Sequence, residues 1–90
     1  MHEIPNAAMD IIRRGSVKIR VTRSGMIQQL TFTVRKTRLG NIEYTELYTP
    51  RQVDMSELMR IAREIGLPVR AQNAEAFPEG TSATDFQDPG

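Results

Sequence analysis

The chain has 90 residues and a formal net charge of +1, is 39% hydrophobic and 26% charged, and contains no Cys, no Trp and one His. That length holds a single domain, near the lower limit at which a hydrophobic core stands without staples. The missing Cys excludes disulfides, thiolate metal sites and Cys nucleophiles. No stretch approaches the ~20 apolar residues that cross a bilayer, and the N-terminus lacks a basic-then-apolar leader, so a cytoplasmic protein with no membrane association is expected.

Residues 5–14 predict a short helix. Pro5 suits a first helical position and Gly15 the residue just past the end. Ala8, Ile11 and Ile12 make an apolar stripe, and Arg13 and Arg14 fall in the last turn, where cations favour the helix dipole.

Two strands follow. From Ser16 to Arg23, Val17, Ile19 and Val21 alternate with Lys18, Arg20 and Thr22. From Ile27 to Lys36, Leu30, Phe32 and Val34 alternate with Gln29, Thr31, Thr33 and Arg35. Ser24-Gly25 between them is a two-residue hairpin turn. That turn pairs Arg23 with Met26, hence Ile19 with Leu30 and Val17 with Phe32, which places both apolar sets on one face.

A third strand is predicted from about Ile42 to Thr49, and a helix from Asp54 to Ile65. Asp54 with Glu57 three residues later resembles a capping box. Leu58, Ile61, Ala62 and Ile65 form the buried face, with Met55 and Met59 as further core filling. Gly66 supplies the stop, Leu67 packs back on the last turn and Pro68 prevents continuation. Pro68–Ala71 adds an edge strand through Val69. The expected fold is α+β, in the order α-β-β-β-α-(β): a small antiparallel sheet of three or four strands with the helices packed on one face.

The +1 total conceals an uneven distribution. From Ile11 to Ile42 every charged residue is basic, namely Arg13, Arg14, Lys18, Arg20, Arg23, Arg35, Lys36 and Arg38. Residues 1–71 carry 12 basic and 7 acidic groups, a net +5, while residues 72–90 carry four acidic groups and no basic one. We therefore divide the chain into a domain over 1–71 and a flexible acidic tail over 72–90, with Phe77 as the tail's candidate contact to the body. Charges on exposed strand faces explain the basic segment as readily as an anionic partner does.

The third strand contains an ambiguity that bears on function. If Gly40-Asn41 is a two-residue turn, Leu39 pairs with Ile42, Val34 with Leu47, Arg35 with Glu46 and Arg38 with Glu43. Tyr44 and Tyr48 then lie on the outer face beside Thr33, Arg35 and the Lys18/Arg20 row, the chemistry of a single-strand stacking platform. If the turn is the three residues Leu39-Gly40-Asn41, Phe32 pairs with Tyr48, both tyrosines enter the core and Glu46 faces inward. The second arrangement answers the core's need for aromatics, since the body has no Trp and one Phe.

No residue pattern carries catalysis. Nucleophilic chemistry needs an activating base, and the only His is the near-terminal His2. Glu43 and Glu46 have opposite strand parity and cannot form a facing carboxylate pair. Asp85 and Asp88 lack calcium-loop spacing, and no glycine-rich phosphate cradle is present. The expectation is a protein without enzymatic activity, metal or cofactor. Two functions remain in view. One is a small interaction module that binds a protein partner or a second copy of itself through a sheet edge. The other is a nucleic-acid-binding module that uses Lys18, Arg20, Arg23, Arg35, Lys36 and Arg38, with Tyr44 and Tyr48 if they are exposed.

Overall fold

The computed structural model describes residues 6–78. In chain order it holds α1 (Asn6–Arg14), β1 (Ser16–Arg23), β2 (Met26–Leu39), β3 (Ile42–Thr49), α2 (Met55–Ile65), β4 (Val69–Ala71) and β5 (Ala74–Ala76). The fold is α+β, a five-stranded sheet in the order β1-β2-β3-β4-β5 with two helices. His2, Pro5 and residues 79–90 lie outside the described residues. No helix among the described residues is long and apolar enough to cross a membrane.

The β1–β2 hairpin has the predicted register, with Val17 opposite Phe32, Ile19 opposite Leu30 and Arg23 opposite Met26. Ser24 and Gly25 both have positive φ, 51° and 80°, as a turn matched to the twist of two strands requires. The second hairpin resolves the ambiguity in favour of the two-residue turn. Leu39 pairs with Ile42, Val34 with Leu47 and Thr33 with Tyr48. Gly40 has φ 63°, and a glycine in the first central position permits this turn.

The sheet is mixed, not purely antiparallel. β4 runs parallel to β3, with Leu47 opposite Val69 and Thr49 opposite Ala71. The chain leaves β3, crosses through α2 and re-enters the sheet in the same direction, as a strand–helix–strand connection does. β5 is a fifth strand, antiparallel to β4 with Ala71 opposite Ala74. The fold therefore continues past residue 72, where the sequence placed the start of a flexible tail. Ala76 is buried and Phe77 half-buried.

Both helices contribute to one core. Ala8 and Ile11 of α1 and Leu58, Ile61 and Ala62 of α2 pack with Val21, Leu30, Phe32, Leu47 and Val69 of the sheet. Phe32, Leu47 and Leu58 are wholly inaccessible, and each such side chain stabilises the fold by about 1.5–3 kcal/mol of transfer free energy. Met55 and Met59 do not join them. They flank the buried stripe of α2 and are 44% and 47% exposed. Asp54 is the N-cap of α2 but makes no side-chain cap bond, and Glu57 turns toward β1 in place of closing a capping box.

β2 is 14 residues long and shared between neighbours. It pairs with β1 over Met26–Thr33 and with β3 over Thr33–Leu39. The two hairpins are thus offset along one strand and overlap at a single row, Ser16–Thr33–Tyr48–Arg70–Glu75. That offset shapes the outer face.

Candidate functional site

Strand alternation divides the eight nominated residues. Lys18, Arg20, Arg35, Tyr44 and Tyr48 share parity with Thr31, Thr33 and Thr37 and lie on the outer face, away from the core. Arg23, Lys36 and Arg38 have the opposite parity, that of Phe32 and Val34. Arg23 is half-buried and donates from Nη1 to Gln28 Oε1 at 3.2 Å. Lys36 and Arg38 are exposed on the other side of the β2–β3 hairpin. The basic set is therefore not one patch, and five of the eight positions share one face, strung along β2 from the Gln29 row to the Thr37 row.

At the centre of the outer face sits Glu46, 2% exposed. The two-residue turn predicted a cross-strand pair with Arg35, but three other neighbours enclose the carboxylate. Glu46 Oε2 accepts from Thr37 Oγ1 at 2.7 Å and from Arg70 Nη2 at 2.9 Å. Tyr44 is also hydrogen-bonded to the Glu46 side chain. Burial, and next the charge of Glu46, raise the Tyr44 phenol above its usual value. The predicted cross-strand partner Arg35 stands opposite Glu46 in register but goes elsewhere: its guanidinium lies 4.4 Å from the centre of the Tyr48 ring. Arg70 approaches the same ring at 5.7 Å. Tyr48 is thus half-buried beneath two guanidinium groups, a cation–π arrangement worth about 0.5–1 kcal/mol per contact at an exposed site.

Two members of this surface escaped sequence reasoning. Arg70 lies 24 residues from Glu46, and only the parallel pairing of β4 sets it beside Tyr48. Arg51, just after β3, lines a concavity with Gln29, Thr31, Thr33 and Pro50. Arg70 Nε is buried without a hydrogen-bond partner, which leaves a donor unsatisfied within the cluster.

The arrangement offers fork-shaped donors, hydroxyls and planar groups that stack, the set that suits phosphates and unsaturated rings. The described residues bring no three His, Asp or Glu side chains together as metal ligands. No family model, curated protein or solved structure matches the chain.

Proposed function

We propose that the chain is a non-catalytic binding module that takes single-stranded nucleic acid on the outer face of its sheet, in the cytoplasm. The observation that carries this is the register across Gly40-Asn41. It sets Tyr44 and Tyr48 on the helix-free face with Lys18, Arg20 and Arg35. Bases stack on tyrosine rings and on guanidinium planes alike, and Arg35 over Tyr48 presents such a plane. Lys18, Arg20 and Arg35 are exposed and supply the charge that a phosphate backbone requires.

A protein partner or a second copy at a sheet edge has less in its favour. On the β1 edge, the Thr22 N–H and the Arg20 carbonyl are already bonded to Glu57 and Arg60 of α2. The other end of the strand order, β5, offers three residues. The offset of the hairpins also leaves residues 35–39 of β2 and 42–45 of β3 paired on one side only, on a strand pair that carries Lys36, Arg38 and Glu43. Short, covered or charged edges resist strand addition.

The test is anisotropy of a fluorescent single-stranded oligonucleotide titrated with the full chain at several salt concentrations. Three or four phosphate contacts predict a slope of log K against log salt of about −2 to −3. A flat slope, or no binding at low salt, rejects the proposal. Light scattering after size exclusion that finds a dimer under the same conditions favours self-association instead.

A further inference from the structure

One concavity beside the outer face is lined by no carboxylate. Where β3 stops at Thr49, Pro50 has no N–H with which to extend the ladder. β2 continues alone on that side, leaving a hollow of about 360 Å³ whose polar lining is Gln29, Thr31, Thr33 and Arg51, over a floor of Leu30, Thr49 and Pro50. Across the β1–β2 hairpin, Lys18 stands opposite Thr31 and Arg20 opposite Gln29, on the same face. Directly opposed side chains on one face have Cβ atoms about 5 Å apart, so both cations flank the hollow. Three other concavities among the described residues each include a carboxylate: Asp54 beside the β1–β2 turn, Glu75 at the β4–β5 turn, and Glu57 at the β1 edge. This one has none.

We infer that the hollow is a phosphate seat, occupied by a backbone phosphodiester if the nucleic-acid proposal, on which this inference rests, is right. Arg51 supplies the forked donor, the Thr31 hydroxyl and the Gln29 amide supply neutral donors, and Lys18 and Arg20 supply the surrounding charge. Thr33 has a different part. Its hydroxyl donates to the Tyr48 carbonyl at 3.3 Å, which commits its proton and ties the seat to the row that holds the Tyr48 ring. A phosphate beside Thr31 therefore lies one same-face row from Tyr48, whose ring carries the Arg35 guanidinium at 4.4 Å, and the adjoining base falls on that stack.

Two probes on the full chain test this: a labelled oligothymidine read by anisotropy, and inorganic phosphate read by backbone amide shifts. The variants are Arg51→Ala, Thr31→Val and Thr31→Ser, each checked for an unchanged unfolding midpoint. Arg51→Ala is expected to weaken oligothymidine binding about tenfold and to make the salt slope shallower by about 0.7. Thr31→Val weakens it less, and Thr31→Ser, which keeps the hydroxyl, restores it. If the wild-type chain binds oligothymidine and Arg51→Ala and Thr31→Val bind it equally well, the seat is overturned and the binding module stands. If oligothymidine does not bind but phosphate shifts the Gln29, Thr31 and Arg51 amides, the seat stands for free phosphate and the nucleic-acid proposal falls. Silence from both probes overturns both.

Discussion

Glu57, in the first turn of α2, accepts the backbone N–H of Thr22 through Oε1 at 3.0 Å. The same oxygen is held by Arg60 Nη2 at 3.1 Å, and that nitrogen also donates to the Arg20 carbonyl at 3.1 Å. One helical ion pair thus completes two outward-facing backbone groups of an edge strand. α2 packs chiefly against β4 and β5, so its hold on β1 links opposite ends of the strand order around a single core.

The first prediction concerns that link. Replacing Glu57 by Ala removes a charged acceptor, and we expect a loss of about 1–2 kcal/mol, or a midpoint lowered by about 4–16 °C in a domain of this size. The Arg60 hydrogen bond first, and the Thr22 N–H second, hold the Glu57 carboxyl below its ordinary value. A lowered folded-state pKa contributes stability that is complete above the unfolded value of about 4.3 and disappears as pH falls through the folded value. Denaturation of wild type and Glu57→Gln should therefore differ at neutral pH and converge in acid below that value. Parallel curves from neutral pH into acid would show that the carboxylate charge does nothing for the fold.

The Glu46–Arg70 pair predicts coupled losses. Glu46→Ala leaves the guanidinium without its carboxylate. We expect about 2 kcal/mol, below the roughly 3–5 kcal/mol of a fully buried broken pair, because the Arg70 side chain is 33% exposed. Glu46→Leu and Arg70→Leu made together should cost less than the sum of those same two substitutions made singly. A double-mutant cycle in urea measures this, and strict additivity would deny the interaction.

Tyr44 predicts an alkaline signature. Its raised phenol pKa stabilises the fold fully below the unfolded value of about 10, and that contribution is lost as pH rises through the folded value. An ultraviolet titration of phenolate should show a late component that Tyr44→Phe abolishes. A wild-type titration without a late component, both phenols ionising together, contradicts the burial of the Tyr44 phenol beside Glu46.

The local parts of this fold were legible because each rested on two agreeing signals. Alternation over Ser16–Arg23 and Ile27–Lys36 met a turn at Ser24-Gly25 that brought both apolar sets to one face. At Gly40-Asn41 the signals conflicted: demand for core aromatics pointed one way and turn chemistry the other, and the turn prevailed. What stayed hidden was non-local. The Ala-Glu-Ala of β5 lacks the β-branched and aromatic residues that mark strands, and its place follows from β4 being there to pair with. Glu57 fitted a capping box by spacing alone, since the competing Thr22 N–H lies 35 residues away. Met55 and Met59 had helical spacing, yet Leu58, Ile61 and Ala62 already fill the face that meets the sheet.

Ser24 predicts a gain. It is the one non-glycine among the described residues with positive φ, at 51°, a conformation that costs most L-residues about 1–2 kcal/mol. Asn tolerates it better and leads Gly in hairpin turns of this type. Ser24→Asn should stabilise the chain by about 0.5–1 kcal/mol without altering the register. A lower unfolding midpoint would contradict the turn geometry.

The last prediction separates a binding face from net charge. Lys18 and Arg20 are exposed on the outer face, whereas Lys36 and Arg38 are exposed on the opposite side of the β2–β3 hairpin. Replacing either pair by alanine removes one Lys and one Arg, so both double variants carry the same net charge. If an oligonucleotide is drawn only by the overall field, the two variants lose affinity equally. If it lies on the outer face, K18A/R20A loses two phosphate contacts and its salt slope becomes shallower by about 1.4. K36A/R38A then keeps the wild-type slope, because exposed charges beyond about 8–10 Å are largely screened at moderate salt. Anisotropy titrations of both variants across a salt series measure the difference, and equal slopes would remove the outer face from any role in binding.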